Sequence, residues 1–153
     1  MPTPETTARR RLDERLQELP SDLTALPPRG WIAAIRGALG MSVRDLGGRM
    51  GTTGQRASKL EHDEISGRIQ LSSLRRAAEA MNCRLVYAFV PNEPLEEMVR
   101  QQARRKAAGI LAPIAHSMRL EEQSVPYSVE REQIDDLAED LIDRRGLWSS
   151  TSP

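Results

Sequence analysis

Residues 41–61 read MSVRDLGGRMGTTGQRASKLE, and the spacing within them predicts two short helices meeting at a sharp turn. Ser42 is an N-cap candidate, followed by Val43, Leu46 and Met50 at i, i+3 and i+7, one apolar stripe over two turns. Gly51 comes at once, where a helix commonly ends in a left-handed residue. Thr53 can cap a second helix whose inward residues are Ala57 and Leu60. Between and around these lie Gly54, Gln55, Arg56, Ser58 and Lys59, a face made almost wholly of hydrogen-bond donors. A narrow apolar stripe backed by such a face suits the DNA major groove, which presents acceptors at guanine and mixed groups at adenine. The plain alternative is an ordinary helical hairpin.

Working outward, charge is distributed unevenly. The 153 residues carry 22 Lys and Arg against 22 Asp and Glu, a formal balance of zero that at first argues against a nucleic-acid partner. From Arg29 to His62, however, six basic residues (Arg29, Arg36, Arg44, Arg49, Arg56, Lys59) face two acids, Asp45 and Glu61. From Ala107 onward, four basic residues face nine acids. A basic module joined to an acidic one fits a DNA-binding domain attached to a region with a different partner. Aromatics are only 3%, so the core must come from Leu, Ile, Val, Met and Ala, as in helical proteins.

Several classes are disfavoured. Cys83 is alone, which excludes a disulfide framework or cysteine metal site within one chain. His62 and His116 stand far apart, with no carboxylate at ligand spacing, and read as surface or core histidines; neither metal nor cofactor is expected. No acid, base and nucleophile fall at a recognisable spacing, so an enzyme is not expected. No apolar run approaches the ~20 residues a membrane span needs, and no signal-peptide pattern opens the chain, which leads to a cytoplasmic protein.

Flanking the central motif, Thr6 to Leu19 reads as a charged helix with Leu12, Leu16 and Leu19 in phase and Arg9, Arg10 and Arg11 at its start. Such a basic cluster can lie on phosphates or form a solvated face. Pro20 and Pro27–Pro28 separate it from the next helix. Trp31 to Leu39 predicts that helix, with Ile32, Ile35 and Leu39 inward; His62 to Gln70 reads as a loop, and Leu71 to Met81 as an amphipathic helix. The stretch CRLVYAFV, residues 83–90, then changes period from helix to strand. A lone strand leaves backbone groups unpaired, so the reading is that Leu85, Val86, Tyr87, Ala88, Phe89 and Val90 pair with a second copy across a two-fold axis. The alternative is a buried coil or a helix extension.

Beyond Pro91, Pro94 suits a first helical position, and Leu95, Met98, Val99, Ala103, Ile110 and Leu111 form an apolar side. Pro113 is expected to kink or end that helix, with a short helical piece to about Glu122 and a linker at 124–127. The last helix, Ser128 to Arg145, has a clean stripe of Ile134, Leu137, Ala138, Leu141 and Ile142 with an acidic outer face. It can pack on its own domain or dock on a partner protein with Trp148 as anchor.

The pattern MS-x-R-x-L-x-x-R-x-G followed by T-x-x-x-x-S-K-L-E resembles the Cro/repressor type of helix-turn-helix, the XRE family. Gly47 stands where that family keeps a small residue for close helix crossing, and Gly54 where a base-reading Gln or Ser is frequent. The wider order PPRGWIAAIRGALGMS, SKLE and LRRAAEAMNCRLVYAFVP resembles the group called mobile mystery protein A, through to the Leu147–Trp148 ending. Together they imply a mainly α protein: a helical arm over 1–28, a five-helix DNA-binding domain over 29–91 ending in a dimerisation strand at 84–90, and a helical extension over 92–153.

The function expected is a homodimeric, sequence-specific repressor on an inverted-repeat operator. Gln55 and Lys59 would meet base edges while Arg44, Thr53, Arg56 and Ser58 hold phosphates. The resemblance also implies a mobile-element setting and a Fic-domain neighbour, mobile mystery protein B. The alternative is therefore an antitoxin that restrains a Fic-type toxin and represses its own operon. A Fic-blocking Ser/Thr-x-x-x-Glu followed by Gly or Asn is not matched: Ser117 and Glu121 precede Glu122, and Ser128 and Glu132 precede Gln133.

Overall fold

The computed structural model describes residues 1–20, 22, 25–120 and 126–149. Among these residues every regular element is an α-helix: α1 Pro4–Gln17, α2 Gly30–Ala38, α3 Val43–Arg49, α4 Gly54–Ile65, α5 Leu71–Ala80, α6 Leu95–Leu120 and α7 Tyr127–Leu141. They form two compact units, one of residues 20–89 and one joining residues 1–19 to residues 90–153. No helix among the described residues is long and apolar enough to cross a membrane.

In the unit of residues 20–89, the expected caps are present. Ser42 Oγ accepts from the Asp45 backbone N–H while Asp45 Oδ2 accepts from the Ser42 N–H, a reciprocal capping box that starts α3. Thr53 Oγ1 accepts from the Arg56 N–H and starts α4. The core gathers Ile32 from α2, Leu46 from α3, Ala57 from α4, and Ala77 and Met81 from α5 and its end. Ile35, Met41, Val43, Met50, Leu60, Ile69 and Leu74 close around them. Leu39, expected inward, is exposed because α2 ends one residue earlier. Helix α4 runs through Ile65, where the sequence suggested a loop from His62; only Ser66 caps it and Gly67, at φ +71°, turns the chain.

Two expectations about this unit are corrected. It holds four helices among the described residues rather than five. Residues 83–90 form no strand: after Asn82, at φ +56°, the chain runs on without regular structure. Leu85 is half-buried, whereas Val86, Tyr87, Ala88 and Phe89 are exposed, as is Val90 in the other unit. Alternating apolar residues favour a strand only when a neighbouring backbone completes the ladder. None of the described elements supplies one.

In the second unit, α6 and α7 pack as a helical hairpin and α1 lies on α6. Val99, Ala103 and Ala107 meet Ala138 and Leu147, with Ile134, Leu137, Leu141 and Ile142 packed alongside, so the stripe of the acidic helix is covered within its own unit. Small residues at 103, 107 and 138 let the two helices approach closely. Trp148 remains exposed. Pro113 lies inside α6 without ending it, and Ser117 Oγ donates to the Pro113 carbonyl. The short piece expected up to Glu122 continues α6 as far as Leu120; residues 121 and 122, and residues 124 and 125 of the expected linker, fall outside the described residues, while Tyr127 already opens α7.

The arm and the extension, far apart in sequence, are joined by polar contacts. Asp13 accepts from the backbone N–H groups of Leu95 and Glu96, capping α6 from α1. Arg9 pairs with Glu96 at 2.9 Å and with Asp143 at 2.6 Å, and Thr3 and Thr6 hydroxyls donate to Asp143. Arg9, read from sequence as able to meet phosphate or to sit on a solvated face, is thus committed to carboxylates.

Candidate nucleic-acid interface

The site is built by the turn between α3 and α4. Helix α3 closes with the Thr52 N–H on the Gly47 carbonyl and the Gly51 N–H on the Gly48 carbonyl, with Gly51 at φ +68°. This is a Schellman closure, and it leaves Thr53 free to begin α4 two residues later. The helices then cross in near contact: a Cβ on Gly47 would lie 2.6 Å from the Thr53 carbonyl carbon and 2.8 Å from the Gly54 nitrogen. A Cβ on Gly54 would lie 3.2 Å from the Arg44 Cα. Gly54 therefore serves the crossing, and the same closeness sets Arg44 beside the start of α4.

Burial divides α4 into two faces. Ala57 is fully buried, Leu60 packs against the core, and Glu64 is buried at 7% exposure. Opposite them, at 3.6 residues per turn, Gln55, Lys59 and His62 line one solvent-facing row, with Ser58 and Arg56 on its flanks. Gln55, Arg56, Lys59, Thr53 and Arg44 are exposed, and Ser58 and Gly54 are partly so. All six sequence-predicted residues, Arg44, Thr53, Gln55, Arg56, Ser58 and Lys59, lie on α4, its cap or the adjoining start of α3. His62 was missed; its place seven residues after Gln55 was the signal.

Charge in this unit is sorted by use. Arg36 is drawn into the fold, pairing with Glu61 at 2.6 Å and donating to the Met41 carbonyl; the Glu61 carboxylate raises the Arg36 pKa above its ordinary value. Arg49 donates to the Ala80 carbonyl and Arg76 to the Met50 carbonyl. The basic stretch is thus partly structural. Lys59 reaches Asp63 one turn on at 2.8 Å, and this contact holds the Asp63 carboxyl below its usual range. Lys59 stays 73% exposed, so the contact leaves its ammonium open to a ligand. An exposed, solvent-screened pair of this kind contributes little to stability and is readily exchanged for another anion.

Glu64 is the buried residue that orients the platform. Its carboxylate accepts from the Trp31 N–H at 2.8 Å and the Ile32 N–H at 3.0 Å, so α4 caps the N-terminus of α2. Sequence reading passed over it because residues 62–70 read as a loop, where a Glu is ordinarily solvated.

The residues expected to join two copies, Leu85, Val86, Tyr87, Ala88, Phe89 and Val90, are placed in irregular chain. No cluster of His, Cys, Asp or Glu suited to a metal occurs among the described residues. Glu121 and Glu122 of the Ser117 motif lie outside them, whereas Ser128 and Glu132 are exposed on α7. No family model, curated protein or solved structure matches the chain.

Proposed function

We propose that this chain is a cytoplasmic, homodimeric, sequence-specific DNA-binding regulator whose unit of residues 20–89 places α4 in the major groove. One observation carries the reading. A solvent-facing row of Gln55, Lys59 and His62, flanked by Arg56 and Ser58, stands on a helix held at a close, glycine-dependent crossing, with Arg44 beside its start. Gln pairs in bidentate fashion with adenine and Lys with guanine. Arg44 and Arg56, which lie off the central row, suit phosphates on either side and set register. The start of α4 adds a positive helix end to the same anion-seeking surface.

Gel-shift titration at two salt concentrations tests the division of labour. Gln55→Ala with Lys59→Ala removes the preference for operator over random DNA, at about 1–3 kcal/mol per lost base contact. Arg44→Ala or Arg56→Ala weakens binding to all sequences and flattens its salt dependence. Full operator preference in the double variant would refute the assignment of α4.

A further inference from the structure

His62 lies in the last turn of α4 and is exposed. With Gln55 and Lys59 it falls within an arc of ~60° on the helical wheel. Along the axis, at ~1.5 Å per residue, Lys59 stands roughly 6 Å beyond Gln55 and His62 roughly 10 Å beyond it. A recognition helix meets base edges with its N-terminal residues. The major groove is ~12 Å wide, so a side chain ~10 Å past the first base contact has left the base edges and come level with the far sugar–phosphate strand.

The chemistry of the ring at that place is set by its own helix. His62 Nδ1 lies 3.4 Å from the Ser58 carbonyl oxygen, one turn back. A carbonyl oxygen only accepts, so the ring nitrogen facing it is the one that carries the proton. In the neutral ring Nε2 is then bare and can only accept, as a phosphate oxygen does, and two acceptors make no bond. A proton added at Nε2 keeps the Ser58 contact, turns Nε2 into a donor and gives the ring a positive charge. The imidazolium alone can therefore hold a phosphate from this position.

The charges around the ring are few. Asp63, the next residue, is the neighbouring acid; Lys59, at 2.8 Å, lowers its pKa most, and Arg68 and His62 act in the same direction. On the helices packed against α4, Arg36 is paired with Glu61, Asp45 is closed on Ser42, Arg49 donates to the Ala80 carbonyl and Arg76 to the Met50 carbonyl. Among the described residues no charged group of α2, α3 or α5 forms an ion pair with His62.

We propose that His62 is a phosphate contact of α4 that works only as the imidazolium, donating from Nε2 to the strand across the groove from Gln55. The inference rests on the reading of α4 as a recognition helix. Arginine and lysine keep their charge through neutrality, whereas an imidazole changes its charge between pH ~5 and ~8. His62 is thus the one contact on α4 whose hold on DNA varies in that range. Because phosphates carry no base information, the gain at low pH is the same for operator and random sequence.

Fluorescence anisotropy of the full chain on a labelled mixed-sequence DNA duplex, at several salt concentrations, tests it. The plot of log affinity against log salt should be steeper at pH ~5.5 than at pH ~8 by up to about 0.9 per bound chain, the slope of one phosphate contact. His62→Gln should give the shallow slope at both pH values and His62→Lys the steep one at both. His116→Gln, which alters the other histidine of the chain, should keep the wild-type difference. Nitrogen-15 spectra of the free protein at pH ~8 check the tautomer, with the His62 proton expected on Nδ1. A wild-type slope that ignores pH, a pH-dependent slope in His62→Gln, or a proton on Nε2 in the neutral ring would overturn the contact while leaving α4 as the DNA-binding helix. Failure of the wild-type chain to bind any DNA at low salt and either pH would refute that reading of α4 and the contact with it.

Discussion

At Gly30 two constraints meet in one residue. Its φ of +80° is a conformation that side chains resist, and a Cβ there would come within 2.6 Å of Glu64 Oε2. Moving that carboxylate breaks its bonds to the Trp31 and Ile32 N–H groups. Gly30→Ala should therefore cost about 2–3 kcal/mol, combining the left-handed penalty with a lost cap, as urea unfolding will show. Asp143 is the corresponding residue in the other unit. Arg9, with the Thr3 and Thr6 hydroxyls, holds its carboxyl down at about 2. A depressed carboxylate pKa stabilises the folded state above the ordinary carboxylate range, and that contribution disappears as pH falls through about 2. Asp143→Asn keeps a residue tolerant of the φ of +64° while removing the charge. It should lower thermal stability at neutral pH and flatten the acid limb of the Tm-against-pH curve between pH ~4 and ~2.

At the scale of the element, the two adjacent glycines of α3 behave oppositely. Gly47 is buried in the crossing, so Gly47→Ala pushes α3 from α4 and should cost about 1–3 kcal/mol as overpacking, together with most DNA affinity. Gly48 has nothing within 4 Å of its Cβ position, and Gly48→Ala should add about 1 kcal/mol through helix propensity, leaving binding unchanged. Denaturation and gel shift on the pair separate the two roles; equal effects would refute the close crossing. The capping box at Ser42 and Asp45, the left-handed Gly51 and the cap at Thr53 were legible in sequence because each satisfies backbone groups within a few residues of itself. The strand at 83–90 was misread for the converse reason: a ladder needs a neighbour that local pattern cannot supply.

At the scale of the molecule, every buried side chain in the core of the unit of residues 20–89 comes from between Ile32 and Met81. A fragment of residues 20–89 should consequently keep its helicity and bind an operator half-site weakly. Circular dichroism and a gel shift check both, and an unfolded fragment would show that the helix-turn-helix unit depends on the rest of the chain. The unit of residues 1–19 and 90–153 cannot be cut in the same way, because Arg9 and Asp13 reach Glu96, Leu95 and Asp143 from the far end of the chain.

The sequence by itself determined the mainly helical class, the paired helices from Val43 to about Glu61 with their caps and turn, and the donor-rich face that carries the proposed DNA contacts. Helical period, capping chemistry and glycine turns act over four to seven residues, which is why they could be read directly. Only the tertiary structure decided which basic residues are spent on the fold, because Arg36, Arg49 and Arg9 find their acceptors 25, 31 and up to 134 residues away. It likewise decided that Glu64 caps another helix, that Gly54 serves a helix crossing, and that the apolar stripe of α7 is covered while the end of α6 is not. Each of those outcomes depends on which surfaces the folded chain brings together, and an isolated helix carries no record of its neighbour.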